Sequence, residues 1–341
     1  MSEQLKIGLI GAGNWGANYV RNLVSLGVLS AVCDLDEGRL DKIKADYPAV
    51  RTTTSLDEFA GLGLDGAVIA THTQAHHAAG LKLLEAGIHC HIEKPLCESS
   101  ALALELCEAA ESRKLVLMVG HILLYHPAVE YIRNMITSGE LGQIYYVSAT
   151  RCNLGVIRRH ENVMWSMAPH DVSIIQYLLA QDPVSVSASG QSFVQPEAGI
   201  EDVTHLTLKF ADHSMASITS SWLDPEKVRL IKVVGSEKMV VFDDMDPRYK
   251  LQVHEKGVDW QKHLEPGNAS FLSIRSGDVH IPFVKPTEPL KAECQEFIDC
   301  IRTGRTPRSS GRQGYANVRL IELGCESLKL GGQPMETGLS G

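Results

Sequence analysis

The chain has 341 residues, 44% of them apolar and 21% charged, an ordinary globular composition with length enough for two domains. Its formal net charge is −9, and no run of Lys and Arg offers a nucleic-acid surface. No apolar run approaches the length of a membrane span, which argues against a membrane protein.

Met1-Ser2-Glu3-Gln4 leads almost straight into an apolar strand. A secretory signal is therefore not expected, and the cytoplasm is the default compartment. The eight cysteines (Cys33, Cys90, Cys97, Cys107, Cys152, Cys294, Cys300 and Cys325) are scattered without a CxxC pair. They read as reduced, mostly buried thiols.

Leu5 to Ile10 reads as a strand, followed by Gly11-Ala12-Gly13-Asn14-Trp15-Gly16 and a helix with Trp15, Tyr19, Leu23 and Leu26 on one face. Val28 to Cys33 is the next strand, ending at Asp34, and Asp36 to Asp46 has helical spacing. Gly66 to Thr71 reads as a buried strand, Thr73 to Ala86 as a helix, and Ile88 to Ile92 as a strand ending in Glu93-Lys94-Pro95. Ser99 to Arg113 is a helix and Leu115 to Val119 a strand. This alternation predicts a parallel, doubly wound sheet.

After Gly120 the pattern changes. Pro127 to Ser138 reads as a helix and Ile144 to Thr150 as a strand. Residues 151–168 are polar and irregular, and Pro169 then opens a further helix. From Val184 to about Val253 the pattern is strands and turns, with hairpins around Ala211-Asp212-His213 and Gly235-Ser236. Residues 255–287 are loop-rich, and Leu290 to Arg302 and Gly314 to Leu330 are helices. The fold class is α/β. A Rossmann domain over residues 1–122 precedes an α/β domain over 123–341 with a mostly antiparallel sheet.

Gly11, Gly13 and Gly16 form a GxGxxG between a strand and a helix, with Asp34 eighteen residues beyond Gly16. Such glycines let the backbone approach a pyrophosphate at the helix N-terminus. Asp34 can accept from both ribose hydroxyls and would repel a 2′-phosphate. No Arg follows it, so the expected cofactor is NAD rather than NADP.

Glu93-Lys94 at a strand end is either a surface ion pair or a site. In a site, Lys94 directs its ammonium at a substrate oxygen and Glu93 holds the nicotinamide ribose. Pro169-His170-Asp171 at a helix start would keep His170 neutral and able to accept a hydroxyl proton, with Asp171 stabilising the first turn. The cluster from Arg151 through Asn153, Arg158, Arg159 and Glu161 to Asn162 is either a solvated loop or a substrate grip. His72, His76, His77, His89 and His91 invite a metal reading, but no carboxylate or Cys completes a ligand set, so no metal is expected.

Taken together these residues resemble the glucose-fructose oxidoreductase / inositol dehydrogenase / MocA family. The resemblance rests on the N-terminal glycines, Ala70-Thr71 followed by His76, Ala86-Gly87, Glu93-Lys94-Pro95, Gly139-Glu140-Leu141-Gly142, His170-Asp171 and Gly304-Arg305-Thr306-Pro307. It implies a Rossmann domain, a C-terminal domain with a large open sheet, and dimers or tetramers packed through that sheet. It implies Lys94 and His170 as catalytic groups. It also implies Asn14, Trp15, Thr71, His72 and His76 beside the cofactor, and His121, Asn153, Arg158, Asn162 and Trp165 beside the substrate. Two positions depart from the family pattern. His72 stands where proline is frequent, and Ser166 where an aspartate is frequent four residues before the catalytic histidine.

The segment from Asn153 through Arg158, Asn162 and Trp165 to Asp171 resembles the branch that oxidises the 3-hydroxyl of UDP-N-acetylglucosamine or its uronic acid, the former being favoured. That branch hands a 3-keto sugar nucleotide to an aminotransferase in amino-sugar synthesis such as that of lipid A. The alternatives are a polyol or simple-sugar dehydrogenase, an NAD-dependent glycosidase and a non-enzymatic NAD-binding regulator.

Overall fold

The computed structural model describes residues 4–259 and 273–339. The expected lead-in over residues 1–3 and the centre of the loop-rich stretch, residues 260–272, lie outside them. The described chain divides into two compact units.

The first unit alternates β1 (Ile7–Ile10), α1 (Gly16–Ser25), β2 (Leu29–Cys33), α2 (Glu37–Asp46), β3 (Arg51–Thr53), α3 (Leu56–Ala60), β4 (Gly66–Ile69), α4 (His76–Glu85), β5 (His89–Glu93), α5 (Ser100–Ser112) and β6 (Leu117–Gly120). The six strands are parallel, in the order β3-β2-β1-β4-β5-β6. Every residue of β1, β4 and β6 is buried, as a sheet covered on both faces requires. The order reverses between β1 and β4, and ligands of such sheets bind at the carboxyl ends of strands beside that reversal. The short β3 and α3 have no counterpart in the sequence reading. Three and five residues are too few to show a period, although Ser55 caps α3 by accepting from the Glu58 N–H.

The second unit contains α6 (Pro127–Thr137), β7 (Ile144–Cys152), α7 (Val163–Leu179) and the strands β8 (Ser185–Gln191), β9 (Val203–Lys209), β10 (Met215–Ser221), β11 (Val228–Gly235), β12 (Met239–Asp243) and β13 (Leu251–His254). Three short strands follow, β14 (Gly257–Asp259), β15 (Ser273–Arg275) and β16 (Val279–His280). Its nine-stranded sheet is β16-β13-β12-β11-β7-β10-β9-β8 closed by β17 (Met335–Glu336). Among the described residues of this sheet only the β7–β10 pair is parallel, from Tyr146 opposite Met215 to Cys152 opposite Ser221. Thr204, Leu206 and Leu208 of β9 are buried while His205 and Lys209 face outward, the alternation of a sheet covered on one side.

Two expectations about this region are corrected. The segment 151–168 is not irregular throughout, because β7 continues to Cys152 and α7 begins at Val163. Pro169 does not open a helix. It lies inside the 17-residue α7, whose N-cap is Asn162, with its Oδ1 accepting from the Trp165 N–H at 3.1 Å. Asp171 accordingly stabilises no first turn. It is 1% exposed and accepts from Arg151 Nε at 2.7 Å and Nη2 at 2.8 Å.

The second domain was expected to run to the C-terminus. Instead residues 287–319, including α8 (Pro289–Thr303), belong to the first unit, and the division falls within α9 (Gly311–Lys329). The reason is packing. Leu290, Cys294, Phe297 and Ile298 of α8 are buried, Phe297 packs on His91 of β5, and Glu288 pairs with Arg21 of α1. All eight cysteines are free, seven of them buried. No helix among the described residues is long and apolar enough to cross a membrane.

The Arg151–Asp171 pair gives a test. Asp171→Ala strands a nearly buried guanidinium and is expected to cost about 3–5 kcal/mol in urea unfolding, whereas Arg151→Met combined with Asp171→Leu costs less than the single change.

Candidate active site

The glycine turn joins β1 to α1. Gly11 has φ +90°, and a Cβ on Gly16 would stand 1.9 Å from the Gly11 carbonyl oxygen, so the turn closes only with glycine at both positions. Gly13 has no such conflict, the nearest atom to a Cβ there being Arg39 Nη1 at 3.7 Å. Asn14 and Trp15 are exposed on the turn. Asp34, just after β2, is 7% exposed, and its carboxylate accepts from the Ala12 N–H at 2.6 Å and the Asp36 N–H at 2.9 Å. The carboxylate thus ties the end of β2 to the glycine turn. Arg39 Nη1 lies 3.4 Å from Asp34 Oδ2. An arginine does therefore follow Asp34, five residues on. It was missed because the first turn of α2 returns it to the strand end. An opening of this shape, with an acidic strand end, fits a dinucleotide.

Glu93 ends β5 and is 8% exposed. Its Oε1 accepts from the Trp15 indole N–H and from the Tyr19 hydroxyl at 2.6 Å, and its Oε2 from the Lys94 backbone N–H at 3.0 Å. Burial raises its pKa, while these donors and the Lys94 charge oppose the rise. Gly120 of β6 lies opposite Glu93, and a Cβ there would come within 3.0 Å of the Glu93 carboxyl carbon, so the strands approach closely only without a side chain. Lys94 is half-buried beside His121, whose pKa falls to about 3 through burial and then the Lys94 charge. His121 is 2% exposed.

His76, expected at the cofactor, is instead 1% exposed with its ring nitrogens 3.0 Å from Pro95 O and 3.1 Å from Thr71 O. It braces the end of β4 to the turn after Lys94. His72 is exposed and Thr71 partly so at that strand end. The other histidines of the metal reading diverge. His77 meets Glu105, His89 accepts from the Val116 N–H, and His91 is enclosed.

In the second unit, His170 is the eighth residue of α7, so the expected effect of a helix N-terminus on it does not apply. Ser166 lies one turn before it. Asn153 Oδ1 accepts from Arg229 Nη2 at 2.7 Å, and Asn162 also donates to Glu201 at 2.8 Å. Arg158 is exposed and pairs with Glu161 at 2.6 Å, while Trp165 is partly buried in the first turn of α7. Arg151, part of the expected grip, is committed to Asp171. Arg229, absent from the sequence reading, sits opposite Arg151 in register, which only the β7–β11 pairing reveals.

Two family models match the chain, an NAD-binding Rossmann fold of an oxidoreductase family over residues 5–121 and a GFO/IDH/MocA C-terminal domain over residues 129–241. The chain belongs to the Gfo/Idh/MocA family, and it is an NAD-dependent dehydrogenase. It is 25% identical over 91% of its length to UDP-N-acetylglucosamine 3-dehydrogenase of Acidithiobacillus ferrooxidans, covering 93% of that protein. A structure of that enzyme aligns with a TM-score of 0.81 at 22% identity, covering 96% of this chain and 99% of the other. The chain is also 25% identical, over 90% of its length and 89% of the relative's, to scyllo-inositol 2-dehydrogenase (NAD(+)) of Bacillus subtilis. An oxidoreductase from Agrobacterium radiobacter solved with NAD+, L-tartaric acid and magnesium aligns with a TM-score of 0.81 at 19% identity, covering 98% and 99% of the two chains.

Gly16→Ala forces the glycine turn open and is expected to weaken NAD binding by at least about tenfold in titration calorimetry, the equivalent of about 1.4 kcal/mol.

Proposed function

We propose that the chain oxidises the 3-hydroxyl of a UDP-N-acetylhexosamine, UDP-N-acetylglucosamine ahead of its uronic acid, to a 3-keto sugar nucleotide. The observation that supports this most is the similarity to the Acidithiobacillus enzyme over nine-tenths of the chain, together with the segment from Asn153 to Trp165. Bound NAD supplies the hydride acceptor. Gly11, Gly13, Asn14, Trp15 and Gly16 line its pyrophosphate side, Asp34 takes the adenosine ribose, and Glu93, Thr71 and His72 border its other half. Lys94 holds the substrate oxygen and stabilises the negative charge that develops there. His170 takes the hydroxyl proton, since an imidazole can accept a proton near neutral pH. Each of the two groups is expected to contribute about 10²- to 10⁴-fold. His121, Asn153, Arg158, Asn162 and Trp165 orient the sugar nucleotide. The open sheet joins the chains into dimers or tetramers, and an aminotransferase takes the product.

Polyol oxidation is the second reading, favoured by the equal identity to the inositol dehydrogenase. Ser166 speaks against it, because a hydroxyl there cannot serve as the carboxylate partner expected of that group.

The test is NADH formation with a panel of UDP-sugars, an aminotransferase trapping the ketone. Turnover of UDP-N-acetylglucosamine without turnover of free inositol or glucose is expected. The reverse pattern would establish the polyol reading, and sugar release without net NADH a glycosidase. Lys94→Met should abolish turnover with NAD affinity nearly intact, and His170→Asn should lower kcat by at least about a hundredfold. An unaffected His170→Asn enzyme places the base elsewhere.

A further inference from the structure

Behind Glu93 lies a second carboxyl group. Glu293 of α8 is 0% exposed, and neither of its oxygens has a hydrogen-bond partner among the described residues. The nearest basic atom is His91 Nε2 at 3.8 Å, on a ring that is itself fully buried. The Tyr19 phenol, also 0% exposed, donates to Glu93 and interacts with Glu293 as well. Its ring stands edge-on to His91 at 5.5 Å, and His91 leans on Phe297 at 5.5 Å. The titratable groups facing this chamber are Tyr19 of α1, His91 and Glu93 of β5, His121 after β6, Tyr125 beyond it, and Cys294 beside Glu293. Lys94 stands beside Glu93, whereas no lysine or arginine among the described residues pairs with Glu293.

Two neighbouring buried carboxyls with a single cation, placed at only one of them, do not both ionise. Glu93 has three donors and the Lys94 charge beside it, whereas Glu293 has no such cation and the Tyr19 phenol near it already donates to Glu93. The negative charge therefore belongs on Glu93 and the proton on Glu293. Burial, and then repulsion from Glu93, raise the Glu293 pKa well above the usual carboxylate range. Burial and then His121 lower that of His91 to about 3, so the ring stays neutral and offers no counter-charge. A neutral carboxylic acid is a donor. Facing the Tyr19 oxygen it can act as a donor to it, and a phenol that accepts in this way is a stronger donor to Glu93.

We propose that Glu293 is a proton-bearing positioning residue which, through Tyr19, reserves the single negative charge of this chamber for Glu93. The proposal rests on the reading of Glu93 as a cofactor contact. It predicts that Glu293→Leu leaves Tyr19 a weaker donor, so that Glu93 takes up a proton at a higher pH.

NAD affinity of the full-length protein, titrated between pH 6 and pH 9, tests this without any sugar substrate. Glu293→Leu is expected to lose affinity at a higher pH than the wild type does, by about one pH unit, and to match it at the alkaline end of the range. Glu293→Gln, whose amide donates in place of the acid, is expected to restore the wild-type profile. A Glu293→Leu profile matching the wild type overturns the proposal, and so does a Glu293→Gln profile matching Glu293→Leu. Glu93→Ala separates the two readings. If it too leaves affinity unchanged, the cofactor role of Glu93 falls, and if it weakens binding while Glu293→Leu does not, the positioning role falls alone. Thermal unfolding gives a second measure should the leucine variant fail to fold. A carboxyl pKa raised by folding makes the native state lose stability as pH rises from the ordinary carboxylate value toward the raised one. Glutamine has no such loss, so its Tm advantage over wild type should grow from pH 6 to pH 9. A constant difference means that Glu293 is already ionised, and the proposal fails.

Discussion

The constraint on which the first unit's site depends is the withdrawal of the Glu93 carboxylate from water. A buried anion survives only if donors and a cation replace its hydration. Here the donors come from α1, through Trp15 and Tyr19, and from the Lys94 backbone. Satisfying that one group fixes how α1 lies on β5 and where the chain turns after Glu93. His76 then fastens the turn from the other side, and Gly120 lets β6 close against it. Lys94 is thus presented by a rigid strand end rather than by a loose surface loop.

The glycine turn shows the same economy at β1. Gly11 and Gly16 meet across a gap no side chain fits, and Asp34 closes the other edge by accepting from Ala12. These contacts are local in sequence or lie at the ends of neighbouring parallel strands, and so the motif was legible without coordinates. Arg39 was not, although it sits only five residues beyond Asp34. Its approach depends on Asp36 capping α2 by accepting from the Arg39 N–H, which turns the chain back toward the strand end.

The second unit was less legible, and its errors share a cause. Pro169 resembles a helix start because proline is favoured in a first turn. The side chain that caps the helix is Asn162, seven residues earlier, and the helix continues through the proline. That shift moves His170 to mid-helix and frees Asp171 from a first-turn role. Asp171 answers instead to Arg151, twenty residues away on β7. Asn153 and Asn162 likewise have protein partners, Arg229 and Glu201, that lie far from them in the chain.

Sequence by itself determined the parallel strand–helix alternation, the two hairpins, the glycine turn with Asp34 and the placement of Glu93-Lys94 at a strand end. Each of these is written in hydrophobic period, turn residues or short spacing, which are properties of neighbouring residues. The tertiary structure alone decided which buried charges face one another. It brought α8 back to the first unit across more than a hundred and fifty residues, setting Glu293 behind Tyr19 and Glu93. A carboxyl's protonation depends on what surrounds it in space, and no local pattern in the chain records that.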